Sequence, residues 1–107
     1  MGRAAKERPL RLAEKLGHIR SALGLSQNEL IAQLGHPPQL SQRSISKFEQ
    51  DTAEPSLKVL LAYATIANVY VDVLINDDLD LPPQIPSPVR HEGISRKKNK
   101  STRTPKA

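Results

Sequence analysis

A chain of 107 residues with 37% hydrophobic and only 3% aromatic side chains has room for one domain with a small core of Leu, Ile and Val. It holds no cysteine, which excludes a disulfide framework and a zinc-finger site, and no run approaches the ~20 apolar residues a membrane helix needs. The net charge is +5, yet residues 1–80 hold 9 Lys/Arg against 10 Asp/Glu, while residues 81–107 hold 7 against Glu92 alone. The basicity therefore belongs to the tail. Within the remainder, residues 1–71 carry 9 bases against 6 acids, and Asp72 to Asp80 adds four aspartates and no base. One mildly basic end and one acidic end are what a single phosphate-facing surface requires. The charged N-terminus leads into no apolar stretch, so no secretory signal is expected and a cytoplasmic location is.

In chain order, residues 1–8 are polar and expected to be flexible. From Pro9, which suits a first helical turn, Leu12, Leu16, Ile19 and Leu23 recur at i, i+4, i+7 and i+11, a helical stripe that Gly24 ends. The stretch Ser26 to Glu49 then reads as two short helices. Ser26 with Glu29 forms a capping box, and Leu25 with Leu30 a hydrophobic staple. Leu30, Ile31 and Leu34 mark the apolar side, and Gly35 supplies the left-handed residue at the end. Ser41 caps the second helix, Leu40 and Ile45 staple it, and Ile45 and Phe48 form its apolar edge. Its other side, Gln42, Arg43, Ser44, Ser46 and Lys47, contains no acid and has the composition needed at base edges and phosphates.

Further on, Gln50, Asp51, Thr52 and Ala53 form a connection after Glu49. Pro55 and Ser56 open an apolar helix in which Leu57, Leu60, Leu61, Ala64 and Ala67 are expected to face the core, with Tyr63 at the edge and Asn68 at the end. On propensity alone Val69 to Ile75 reads as a strand; the run is too apolar to be free in water and is expected to close the core, with a dimer interface as the functional alternative. From Pro82 the chain is rich in proline and ends in Arg96, Lys97, Lys98, Lys100, Arg103 and Lys106, so disorder is expected across residues 82–107. Such a tail either adds non-specific phosphate affinity or only solubilises.

Three segments, RSALGLSQNEL (Arg20 to Leu30), SQRSISKFE (Ser41 to Glu49) and EPSLKVLL (Glu54 to Leu61), together resemble the Xre/Cro-type helix-turn-helix regulators. The resemblance implies an all-α bundle of about five short helices over residues 9–81, followed by the basic tail. It implies a sequence-specific double-stranded DNA-binding transcriptional regulator, a repressor by preference, which lays the Ser41–Gln50 helix in the major groove. By position in the motif, Gln42, Arg43, Lys47 and Ser46 would read bases, Gln27 and Ser44 would touch phosphates, and Arg20 would pair with Glu49. A homodimer is implied. The alternatives are an antitoxin that adds a toxin-binding surface to the same module, and a protein-interaction module without DNA contact.

Two departures from the family pattern stand out. His36, Pro37, Pro38 and Gln39 lengthen the turn between the two helices, with His36 or Gln39 as a further phosphate contact, and Asp51 replaces the usual glycine. His18, His36 and His91 have no ligand spacing, so neither metal nor cofactor is expected. An enzyme is the weakest reading, because no catalytic constellation or glycine-rich phosphate loop is present.

Overall fold

In the computed structural model, which describes residues 8–95, local signals and long-range clasps divide the work of building five helices. These are α1 (Leu12–Leu23), α2 (Gln27–Gln33), α3 (Gln42–Glu49), α4 (Leu57–Ala67) and α5 (Asp72–Ile75), joined by a short antiparallel ladder of β1 (Leu79–Asp80) and β2 (Ile94–Ser95). The first four helices stop in the same way. A left-handed residue follows each one, Gly24, Gly35, Asp51 and Asn68, and paired backbone bonds such as Leu25 N–H to Arg20 O and Gly24 N–H to Ser21 O satisfy the last carbonyls. Asp51 takes φ 61° and Asn68 φ 57°, so two side chains that tolerate this region stand where glycine would be unstrained. Serines begin α2, α3 and α4, with Ser26, Ser41 and Ser56 each accepting the N–H three residues on.

The core gathers Leu12, Leu16 and Ile19 of α1, Leu30 and Leu34 from α2 and its end, Ile45 and Phe48 of α3, and the inner faces of α4 and α5. On α4 the expected facing is corrected. Leu57 and Leu61 are 82% and 51% exposed, whereas Tyr63 is fully buried along with Leu60, Ala64 and Ala67. The helix is apolar almost all round, so periodicity alone cannot choose its buried side. The Val69–Ile75 run forms one turn of helix, α5, preceded by a bridge from Val69 to His91. Helix is thus the outcome, but only from Asp72.

α1 starts at Leu12 rather than Pro9 and has no cap of its own. Asp77 supplies one from a distance, its carboxylate accepting the N–H groups of Leu10 and Arg11 at 3.0 Å each. Those two bonds, that of Leu10 foremost, hold the Asp77 carboxyl below its ordinary range despite the opposing effect of burial. Arg11 returns the contact through Asp80 at 2.6 Å and the Asp77 and Leu79 carbonyls. Lys15 is only 1% exposed, and its ammonium donates to the carbonyls of Val73 (2.7 Å) and Asn76 (2.9 Å). Burial lowers its pKa, and the carbonyl dipoles at the end of α5 offset that cost. The aspartate cluster is therefore bound into the fold by α1.

The expectation of disorder from Pro82 fails for residues 82–95, which lie along α4 and α5 as an arm. Ser87 N–H bonds the Ala67 carbonyl, Asn68 Nδ2 the Ser87 carbonyl, and His91 exchanges backbone bonds with Asn68 and Tyr70. Arg90 stacks on the Tyr70 ring at 4.5 Å. Ile85 packs against the core and Pro82 is buried, and these hydrogen bonds add what a compositional argument does not count. The cluster Arg96 to Lys106 and residues 1–7 lie outside the described residues. Among the described residues no helix is long and apolar enough to cross a membrane.

Two outcomes follow from these clasps. A Cβ on Gly93 (φ 87°) would sit 2.9 Å from Val73 Cγ2 and 3.2 Å from the Asp80 carbonyl, so Gly93→Ala is expected to destabilise by about 1–3 kcal/mol in urea unfolding. Asp77 has a depressed folded pKa, so its contribution is complete above ~3.9 and is lost as pH falls through the lower folded value. Asp77→Asn is expected to flatten that acid limb of the stability–pH curve.

Candidate nucleic-acid interface

α3 is eight residues long, too short to hold itself helical in water, so its capping and packing decide where its outer face points. Ser41 Oγ accepts the Ser44 N–H at 3.3 Å and Ser44 Oγ accepts the Ser41 N–H at 3.2 Å, a reciprocal cap made from two serines. Ile45 and Phe48 go into the core. Gln42, Arg43 and Lys47 are left exposed, and their side chains make no hydrogen bond or ion pair among the described residues. Arg43 and Lys47, at i and i+4, share one stripe.

The far end of α3 is anchored by Arg20. Its Nε and Nη2 donate to the two Glu49 carboxylate oxygens at 2.7 and 2.9 Å, and its Nη1 donates to the Leu25 carbonyl at 3.0 Å. The Glu49 bond raises the guanidinium pKa above its ordinary value, so the fork is permanently charged. Tyr63 is sealed beneath α1 and α3; burial first, then the Glu49 charge, raise its phenol pKa, and its hydroxyl has no partner among the described residues. Arg8 donates to both the backbone and the side chain of Asp51 (2.8 and 3.2 Å). Both carboxylates at the C-terminal end of α3 are thus matched by arginines, leaving Arg43 and Lys47 as the uncompensated charges on the helix.

The remaining sequence-level candidates fall as follows. Gln27 and Ser46, placed in separate roles by the motif, meet: Gln27 Nε2 donates to Ser46 Oγ at 3.3 Å across the two helices. Ser44 has its oxygen in the cap. The long turn carries two unusual backbone conformations, His36 at φ 53° and Gln39 at φ 68°, and both side chains are exposed beside the start of α3. No group of three or more His, Cys, Asp or Glu able to hold a metal occurs among the described residues. Sequence reasoning missed Lys15, although it stands at the i+3 position of the Leu12, Leu16, Ile19 stripe, where a buried residue belongs. Asp77 as a cap in trans had no local signal.

This architecture, a capped pair of helices with the second presenting an acid-free outer face, is that of a DNA-binding helix-turn-helix domain. A helix-turn-helix family model matches residues 16–74, more than half of the chain, and the protein belongs to this Xre/lambda-repressor-like family of DNA-binding transcription regulators. No curated protein and no solved structure matches it. The match ends within α5, so the arm of residues 82–95 lies beyond it.

Replacing Glu49 by Ala would leave Arg20 half-buried and without its carboxylate. Either Arg20→Ala or Glu49→Ala is expected to cost about 2–3 kcal/mol, and the double variant less than the sum, by urea unfolding in a double-mutant cycle.

Proposed function

We propose that the protein is a sequence-specific double-stranded DNA-binding regulator, acting as a repressor, that places α3 in the major groove. The observation that carries this reading is the exposed face of α3, where Gln42, Arg43 and Lys47 are unpartnered among the described residues while Glu49 and Asp51 are matched by arginines. Arg43 presents a fork suited to a guanine edge and Gln42 an amide suited to an adenine edge, with Lys47 one turn further along. Gln27 and Ser44 stand for phosphate contacts near the helix starts, where backbone N–H groups add partial positive charge. Ser46, held by Gln27, reads less independently than its position in the motif implies: it ties a phosphate-contacting residue to the base-reading register. Repression follows from occupation of an operator that transcription must use. Two copies would address half-sites about one helical turn apart.

Selection of random duplexes at near-physiological salt tests this reading. The intact chain and a version ending at Ser95 are expected to enrich the same motif. Arg43→Ala is expected to relax one position of it and weaken binding about tenfold or more, whereas Gln27→Ala weakens all sequences alike. Sequence-independent retention that disappears with the residues after Ser95 would refute it.

A further inference from the structure

The lengthened turn between α2 and α3 is built more firmly than a connection requires. The Pro37 carbonyl accepts the Leu40 N–H at 3.2 Å, and with Pro38 second and Gln39 third at φ 68° this is the signature of a type II turn. Two proline rings lock their φ angles and Leu40 packs against the core, so the turn is a fixed projection. Glycine takes the third position of such a turn without strain, yet Gln39 stands there, and His36 at φ 53° repeats the departure. Both side chains are exposed, and neither makes a hydrogen bond or ion pair among the described residues. The strained backbone therefore serves no contact within the described fold.

Between this turn and the starts of α2 and α3 lies an open notch of about 550 Å³ with no acidic residue in its lining. It combines half-buried Ile31, Pro37 and Leu40 with the exposed amides of Asn28 and Gln42 and the exposed imidazole of His36. We infer that this notch, with Gln39 beside it, seats a sugar–phosphate unit of duplex DNA flanking the base pairs that α3 reads. The occupant follows from continuity with the proposed interface. Gln42 belongs both to the notch and to the base-reading face of α3, and Asn28 directly follows Gln27, the proposed phosphate contact. A backbone unit presents anionic oxygens on one side and an apolar deoxyribose on the other. Neutral N–H donors on Asn28, His36 and Gln39 suit the oxygens, and the aliphatic lining suits the sugar. Such a contact carries no sequence information, so the turn fixes the register of α3 on the duplex and leaves the choice of base to Gln42 and Arg43. The inference rests on the regulator reading and deepens it by giving the inserted residues a role.

The experiment compares the full chain with Asn28→Ala, His36→Gly and Gln39→Gly, singly and together. Each substitution suits the backbone it enters, alanine as the better helix former on α2 and glycine at a positive φ, so melting is expected to be unchanged or higher. Affinity for a duplex carrying the motif that the full chain enriches is expected to fall about fivefold or more with Gln39→Gly, and further in the triple variant. A shuffled duplex is expected to lose affinity by the same factor, and the enriched motif to stay the same. Phosphate ethylation interference is expected to lose a backbone position flanking the motif in the triple variant and to keep the others. Unchanged affinity and an unchanged interference pattern in the triple variant overturn the inference, while the regulator reading stands if Arg43→Ala still relaxes the motif. A changed base preference overturns it as well, because the inserted residues would then be reading bases. Absence of duplex binding by the unmodified chain removes the regulator reading and this inference together.

Discussion

The guanidinium of Arg20 fixes the geometry on which everything else in the site depends. Its fork spans Glu49 at the end of α3, and its remaining nitrogen holds the Leu25 carbonyl where α1 passes into α2. One side chain therefore indexes both helices of the helix-turn-helix against α1. The two bonds to Glu49 fix orientation as well as distance, which a lysine at the same place could not do. Because α2 and α3 are seven and eight residues long, neither has the intrinsic stability to keep its angle without such an anchor.

A second set of contacts works at the opposite end of α1. Arg11 and Lys15 are absorbed by Asp80 and by the carbonyls after α5, while Asp77 caps the helix start. The charge map that results differs from a simple division into basic and acidic ends. The aspartates after α5 bind α1 and set the docking of the last helix, so their role is structural. Among the described residues, Arg43 and Lys47 on α3 keep positive charge that no carboxylate matches, while the surplus behind the net +5 lies after residue 80.

How much of this was legible beforehand depends on range. The serine caps, the helix endings at Gly24, Gly35 and Asn68, and the buried edge Ile45–Phe48 all arise within five or six residues, so the chain displays them directly, whereas the positive φ of Asp51 is readable only through the glycine the family has there. The Arg20–Glu49 contact spans 29 positions and became readable only through the family motif. The trans cap by Asp77 and the carbonyl cradle of Lys15 bridge some sixty residues with no motif to announce them. Failure on α4 has another cause: a helix with apolar residues on nearly every side gives no stripe to follow, and Tyr63 and Leu57 exchanged places accordingly. The arm was missed because proline-rich composition measures what a segment can bury, whereas this one also gains hydrogen bonds to Ala67 and Asn68 at the end of α4 and to Tyr70 just before α5.

The placement of the two tyrosines gives the molecule a built-in pair of optical reporters. With no tryptophan in the chain, near-ultraviolet absorbance and intrinsic emission come almost wholly from Tyr63 and Tyr70. Tyr63 is enclosed in the core, with Arg20 and Glu49 acting on its phenol, while Tyr70 is nearly half exposed with the Arg90 guanidinium over its ring. Loosening of the helical core and detachment of the arm thus perturb different chromophores. The order in which the two regions melt is written into the spectrum of the native chain, with no label added.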